Sequence, residues 1–265
     1  MYKEYLSDDI ITFPEFANKT LYNIACDTSN TIKYRMNEHG YRSNSLMNEW
    51  TGHTRRGKIK ILTLGCSWTM GLGVDNEKIW PTLIGNNYKT SVVCNYGMYG
   101  SSCEFLAKQY YKILQSGYIP DIVFVLWPGF SRRDYITESG RPKRICGWRE
   151  AHPSDDTFEN KSEDLAFLTL QNDYQDMNQF WNSYKFLNSA TPDSVSVYHS
   201  VVGYYYEIFE QYYSIIKNFI DPKTFFIPKD CYLNDKRATD GIHPGIEWHN
   251  IFANKFYNFT KKELK

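Results

Sequence analysis

The sequence predicts an α/β protein whose parallel sheet carries helices on both faces. Three observations predict it. Short apolar runs recur along the chain, each stopped by Gly or Pro, and helical patterns separate them. The third is length, since 265 residues can bury a large core without disulfides or a structural metal. Runs that are apolar without alternation are strands covered on both sides, and strands alternating with helices imply right-handed crossovers and a parallel sheet.

Residues 1–56 have mixed polarity, weak periodicity and a basic end at Arg55-Arg56-Gly57-Lys58. They are expected to form an N-terminal extension packed on a main domain of residues 57–265. In that domain the first strand spans 59–64 and stops at Gly65, and the second spans 91–96 and stops at Gly97. A third spans 121–127 before Pro128-Gly129, and a fourth spans 224–227 before Pro228. Helical patterns cover 77–86 and 102–116, where Ser102 can cap, and then 163–219 with a break at Thr191-Pro192-Asp193. A final amphipathic helix covers 245–263. The stretch 130–190 is longer than a crossover needs and holds Trp148, His152 and Trp181, so it is expected to lie over the site as a lid. Tyr204, Tyr205, Tyr206, Phe209, Tyr212 and Tyr213 fall on a helical period and read as packing.

Composition removes several classes of function. Thirty Lys+Arg balance thirty Asp+Glu, so no cationic excess draws the chain to nucleic acid. No apolar run reaches the roughly 18 residues of a membrane span, and residues 1–11 are acidic where a secretory signal is basic and then apolar. A cytoplasmic protein is the expectation. Cys26, Cys66, Cys94, Cys103, Cys146 and Cys231 are scattered without a C-x-x-C pair and read as reduced thiols. His243 and His249 have no third soft ligand at zinc spacing, so no metal is expected. Gly71-Leu72-Gly73 lacks the third glycine and the acidic partner of a nucleotide loop.

Ligands of a parallel sheet sit outside the carboxyl ends of its strands, and those ends carry the unusual residues here. After the first strand comes Gly65-Cys66-Ser67-Trp68-Thr69-Met70-Gly71, a serine on a turn from strand into helix. Such a turn lifts the hydroxyl off the sheet and aims backbone N–H groups at what it attacks, although a strand-end Ser can equally be a helix cap. Thr69 occupies the place of the last glycine of a G-x-S-x-G elbow, which argues against the α/β-hydrolase fold. Strand alternation turns Cys66 toward the core, away from the side that Ser67 faces. The second strand ends in Asn95-Tyr96-Gly97-Met98-Tyr99-Gly100-Ser101-Ser102, with glycines where backbone can approach a ligand. Near the C-terminus, Asp240-Gly241-Ile242-His243-Pro244-Gly245 lets a carboxylate reach an imidazole three positions on and orient it as a base. The competing reading is an Asp that caps the last helix beside a surface His.

Together these three blocks resemble the SGNH, or GDSL, hydrolase family over residues 58–260. The segment Asn37-Glu38-His39-Gly40-Tyr41-Arg42 also looks like one that often precedes the first block in bacterial and phage-type members. The resemblance implies a flavodoxin-like α/β/α sandwich of about five parallel strands. It implies Ser67 as nucleophile, His243 as base and Asp240 as the group orienting the ring, with oxyanion donors at the N–H groups of Ser67 and Gly100, or Gly97 as a fallback. The chain departs from the pattern at Cys66, where the family has Asp, and at Phe130, where it has an oxyanion Asn. Ser131 or Arg132 is the candidate replacement, since one lost oxyanion donor costs about 3 kcal/mol of transition-state stabilisation. Arg132 and Arg133 could favour acidic substrates or form ion pairs, and Trp68 and Trp127 are candidates for the substrate rim. The expected activity is hydrolysis of a carboxylic ester, such as an acetyl-like group on a carbohydrate or small metabolite, without metal or organic cofactor. Acyl transfer from the same site, or a glycan-binding relic, are the alternatives.

Overall fold

The computed structural model describes residues 10–25, 27–43, 45, 57–136, 142–146, 169–170, 172–202, 217–228, 231 and 236–261. The N-terminal segment holds a short antiparallel pair, β1 (Thr20–Leu21) and β2 (Tyr34–Arg35). Then come β3 (Ile59–Gly65), α1 (Ser67–Met70), α2 (Trp80–Asn86), β4 (Ser91–Gly97), α3 (Cys103–Gln115) and β5 (Ile122–Trp127). A hairpin of β6 (Arg132–Ile136) and β7 (Pro142–Cys146) precedes α4 (Asp173–Ala190), β8 (Ser196–Val201), β9 (Phe225–Phe226) and α5 (Ile246–Lys261).

The main sheet has five strands, all parallel, in the order β4-β3-β5-β8-β9. Counted along the chain this is 2-1-3-4-5, the flavodoxin-like order, whose direction reverses between β3 and β5. The register brings Gly65 level with Gly97 and with Leu126, so the carboxyl ends of the first three strands finish in line.

Alternation divides the core between two faces. Ile122, Phe124 and Leu126 of β5 pack with Trp80, Ile84, Trp248, Phe252 and Phe256 of α2 and α5. Val123, Val125 and Trp127 face the other way, against Leu106, Tyr110 and Ile113 of α3 and Phe180 and Leu187 of α4. Every residue of β5 is buried, as an apolar run without alternation requires. Each large side chain so covered contributes about 1.5–3 kcal/mol. The result is the three-layer α/β/α sandwich.

One expectation is overturned. The pattern over 163–219 reads as helix with a break, but α4 ends at Ala190 and the chain enters β8 between β5 and β9. Pro192 prevents the helix from continuing, and Val195, Val197 and Val201 then project to one face while Tyr198 and Val202 project to the other. The polar His199 in β8 conceals the strand in the sequence. It is fully buried because Nδ1 accepts from Trp127 Nε1 (3.3 Å) and Nε2–H faces Asn188 Oδ1 (3.1 Å). Trp148, His152 and the tyrosines at 204–206, 212 and 213, with Phe209, lie outside the described residues, as does most of the lid stretch.

The N-terminal segment rests on the β4 edge and on the loop after α1. Tyr41 stacks on Tyr96 with ring centroids 4.3 Å apart, and the Ser43 hydroxyl accepts from Asn95 N (3.3 Å). Arg42 is buried, with its guanidinium donating to the carbonyls of Met70 (3.2 Å), Gly71 (2.5 Å) and Val74 (2.8 Å). Burial lowers the Arg42 pKa to about 10. Cys66, Cys94, Cys103 and Cys231 are buried free thiols among the described residues. Among those residues, no helix is long and apolar enough to cross a membrane.

Candidate active site

The turn that carries Ser67 is held from below by one buried amide. Ser67 is the first residue of α1, a one-turn helix that follows β3 directly and ends in the left-handed Gly71. Its backbone N–H belongs to the first turn, where no carbonyl within the helix can take it. Asn95 of β4 donates from Nδ2 to Thr69 O (2.9 Å) and accepts at Oδ1 from Gly97 N (2.9 Å) and from the Thr63 hydroxyl (3.2 Å). Three elements are thereby fixed to one side chain. Gly97 is required because a Cβ there would stand 2.5 Å from Met70 N and 2.8 Å from Thr69 C. The helix can approach β4 only over a residue without a side chain.

These contacts also bear on the two candidate glycines. The N–H of Gly97 is already engaged by Asn95 Oδ1 at 2.9 Å. Gly100 lies with φ +74° in a turn closed by Ser101 N donating to Met98 O (3.2 Å). Cys66 is buried within the α2/α5 core cluster, as alternation requires.

The Asp240–His243 turn is equally defined. Asp240 Oδ2 lies 2.5 Å from His243 Nδ1, and Oδ1 accepts from the backbone N–H groups of His243 and Ile242, each at 2.9 Å. Burial alone would raise the Asp240 carboxyl, but the hydrogen bonds from the His243 ring and from these two N–H groups outweigh it and hold it at about 2. Asp240 is therefore an anion, and the ring nitrogen facing it carries the proton, which leaves Nε2 as the basic position.

Two contacts carry the Ser67 turn and the Asp240–His243 turn to the same end of the sheet. Thr239 N donates to Gly73 O (3.1 Å), joining the loop after α1 to the loop before Asp240. Gly73 has φ +73°, and a Cβ on it would stand 2.7 Å from Ala238 Cβ and 3.0 Å from Thr239 N. Trp68, next to Ser67, meets Trp248 of α5 edge-on at 4.9 Å between centroids.

The remaining candidates divide. Trp127 is wholly buried, bonded to His199 and packed edge-on against Phe180, so it is a core residue and leaves the substrate rim. Half-buried Trp68 packs against the α2/α5 core cluster. Phe130 is buried against Phe180 at 4.4 Å, so its place in the third block serves packing. Ser131 lies in the turn that follows, and Arg132 Nη1 lies 3.4 Å from Ser101 O, one residue past Gly100. Arg133 forms an ion pair with Asp176 of α4, largely out of solvent, which makes it a brace between β6 and α4.

Sequence reasoning assigned no role to Asn95, Asp27 or Tyr34. Asn95 had a visible signal, an amide between the apolar run Val92-Val93-Cys94 and Tyr96. Among the described residues, no group of three or more His, Cys, Asp or Glu side chains is arranged to hold a metal.

Fold and site together define an α/β/α sandwich with a serine turn and an aspartate–histidine turn at the carboxyl ends of its parallel strands. No family model matches the chain, and no curated protein matches it. Solved structures are similar to it. The psychrotrophic esterase EstA from Pseudoalteromonas sp. is 14% identical, with 77% of this chain and 98% of that one covered at a TM-score of 0.48. A member of the lipolytic protein G-D-S-L family from Veillonella parvula DSM 2008 is 12% identical, with 74% and 95% covered at a TM-score of 0.45. The lipase Lip_vut3 from a goat rumen metagenome is 12% identical, with 76% and 97% covered at a TM-score of 0.46. Assignment of the reacting side chains rests on this chain's own geometry.

Proposed function

We propose that this protein is a serine hydrolase of carboxylic esters, removing a small acyl group from a carbohydrate or small metabolite. The observation that carries the reading is the Asp240–His243 pair at 2.5 Å, whose loop is tied through Thr239 to the loop of the Ser67 turn. In this reading the Ser67 hydroxyl gives its proton to His243 Nε2 as Oγ attacks the acyl carbonyl, and His243 passes that proton to the leaving alkoxide. Water, deprotonated by the same nitrogen, then releases the acid from the acyl-enzyme. The N–H groups of Ser67 and Gly100 hold the oxyanion, and Arg132 supplies the donor that Phe130 does not. Trp68 offers an aromatic wall suited to a sugar ring.

The experiment pairs a fluorophosphonate probe with a panel of short p-nitrophenyl esters. Label on the peptide carrying Ser67, and loss of turnover in Ser67→Ala, are expected. Equal turnover by the variant and the parent rejects the assignment. Phe130 in the third block favours a second reading, a scaffold that binds glycans and has lost catalysis. Background ester turnover together with measurable oligosaccharide binding would select it. Acyl transfer in place of hydrolysis appears as an acylated sugar when a sugar acceptor is added.

A further inference from the structure

We infer that Asp27 and Tyr34 of the N-terminal segment are positioning residues that set the spacing between the Ser67 turn and the Asp240–His243 turn. The inference rests on the site assignment above and extends it to a part of the chain distant in sequence.

Asp27 and Tyr34 are both fully buried. The Tyr34 hydroxyl donates to Asp27 Oδ2 (2.5 Å) and accepts from Gly73 N (2.8 Å). Burial first, and the bond to Asp27 second, raise the Tyr34 pKa far above its ordinary value, so the phenol keeps its proton and its direction of donation is fixed. The other carboxylate oxygen, Oδ1, accepts from the Ser29 hydroxyl (2.7 Å) and backbone N–H (3.3 Å) and lies 3.4 Å from the Thr239 hydroxyl. That hydroxyl is shared with Gly73 O at 3.1 Å. Asp27 and Tyr34 therefore touch both sides of one joint: Gly73, six positions after Ser67, and Thr239, which adjoins Asp240. The Arg42 guanidinium lies over the Tyr34 ring at 4.5 Å and packs it from one face.

A buried carboxylate requires donors, and here one comes from the catalytic loop itself. Nothing in the packing of the main sheet demands such an arrangement. Misplacing reacting groups by about 1 Å costs on the order of 100-fold in rate, so a joint of this kind acts on turnover more than on binding.

The test uses the full chain and the variants Tyr34→Phe and Thr239→Val, with p-nitrophenyl acetate as substrate. All measurements are made at temperatures where circular dichroism shows each variant folded. Each variant is expected to lower kcat by ~10- to 100-fold with KM within about twofold of the parent, and to slow phosphonylation of Ser67 by a similar factor. Thr239→Ser, which keeps a hydroxyl, is expected to restore most of the rate. Parent kcat and parent phosphonylation rate in both folded variants would overturn the inference while leaving the site assignment standing, and equal losses in Thr239→Ser and Thr239→Val would overturn it as well. If Tyr34→Phe does not fold, the two Thr239 variants decide alone. Failure of the parent to be phosphonylated at Ser67 would overturn both the inference and the assignment beneath it.

Discussion

Asp240 accepts hydrogen bonds from both the ring and the main chain of His243 while its carboxylate is wholly shielded from solvent. A single side chain therefore fixes the tautomer of the imidazole and the conformation of the turn that presents it. Asp240→Asn keeps the shape but can place an amide N–H against the ring, which favours the wrong tautomer. A fall in kcat of ~10³- to 10⁴-fold is expected, measured with p-nitrophenyl acetate at neutral pH. The native pKa of about 2 lies below the ordinary value near 3.9. Asp240 thus stabilises the fold fully above about pH 4, and that contribution is lost as pH falls toward about 2. Urea titrations through this window should show a shallower acid dependence in Asp240→Asn than in the parent.

Asn95 and Gly97 hold the turn that carries Ser67 against β4. Asn95→Leu leaves the Thr69 carbonyl, the Gly97 N–H and the Thr63 hydroxyl without their buried partner, and a loss of about 3 kcal/mol in unfolding free energy is expected. Gly97→Ala drives a methyl group into the backbone of α1, so a loss of Ser67 reactivity by at least ~10-fold should accompany any loss of stability. Fluorophosphonate labelling rates together with urea unfolding curves measure both.

Acid sensitivity below neutrality should come from two core histidines. Burial holds the pKa values of His199 and His249 at about 3, against an ordinary value near 6.5. Both remain neutral in the fold and gain a proton on unfolding. Stability is then complete above about pH 6.5 and falls as pH drops toward 3, by about 1.4 kcal/mol per pH unit for each histidine. In His199→Gln the slope between pH 6 and pH 4 should lessen by one proton's worth, whatever the variant's absolute stability. An unchanged slope would mean that His199 is charged in the core.

In the proposed reading, Arg132 stands for the missing third-block amide. Arg132→Leu is expected to lower kcat by ~10²-fold, the scale of one oxyanion donor, with little change in KM. A rise in KM confined to esters of dicarboxylic acids would instead assign the guanidinium to substrate charge.

Legibility in the sequence followed distance along the chain. β3, β4 and β5 are continuous apolar runs because both faces are covered, and Gly or Pro marks their ends. Asp240 and His243 are three residues apart, so their contact is local and the pattern displays it. β8 was hidden because His199 finds its partners on β5 and α4, elements that a linear reading cannot bring together. For the same reason Trp127 looked like a rim residue at a strand end when it is the donor that satisfies His199. Asp27 and Thr239 are separated by 212 positions, and no periodicity connects them. The β6–β7 hairpin carries no apolar alternation by which a strand pair could be recognised.

Arg42 places a buried cation at the carbonyl end of α1, against the peptide oxygens of Met70 and Gly71 that the short helix leaves without partners of its own. A polypeptide begun at Lys58 would keep every strand of the large sheet and still lack this cation. On the proposed reading, trimming the molecule to its recognisable α/β portion would be expected to give a product that is folded by spectroscopy yet sluggish, and the leading segment belongs in any minimal version tested for ester turnover.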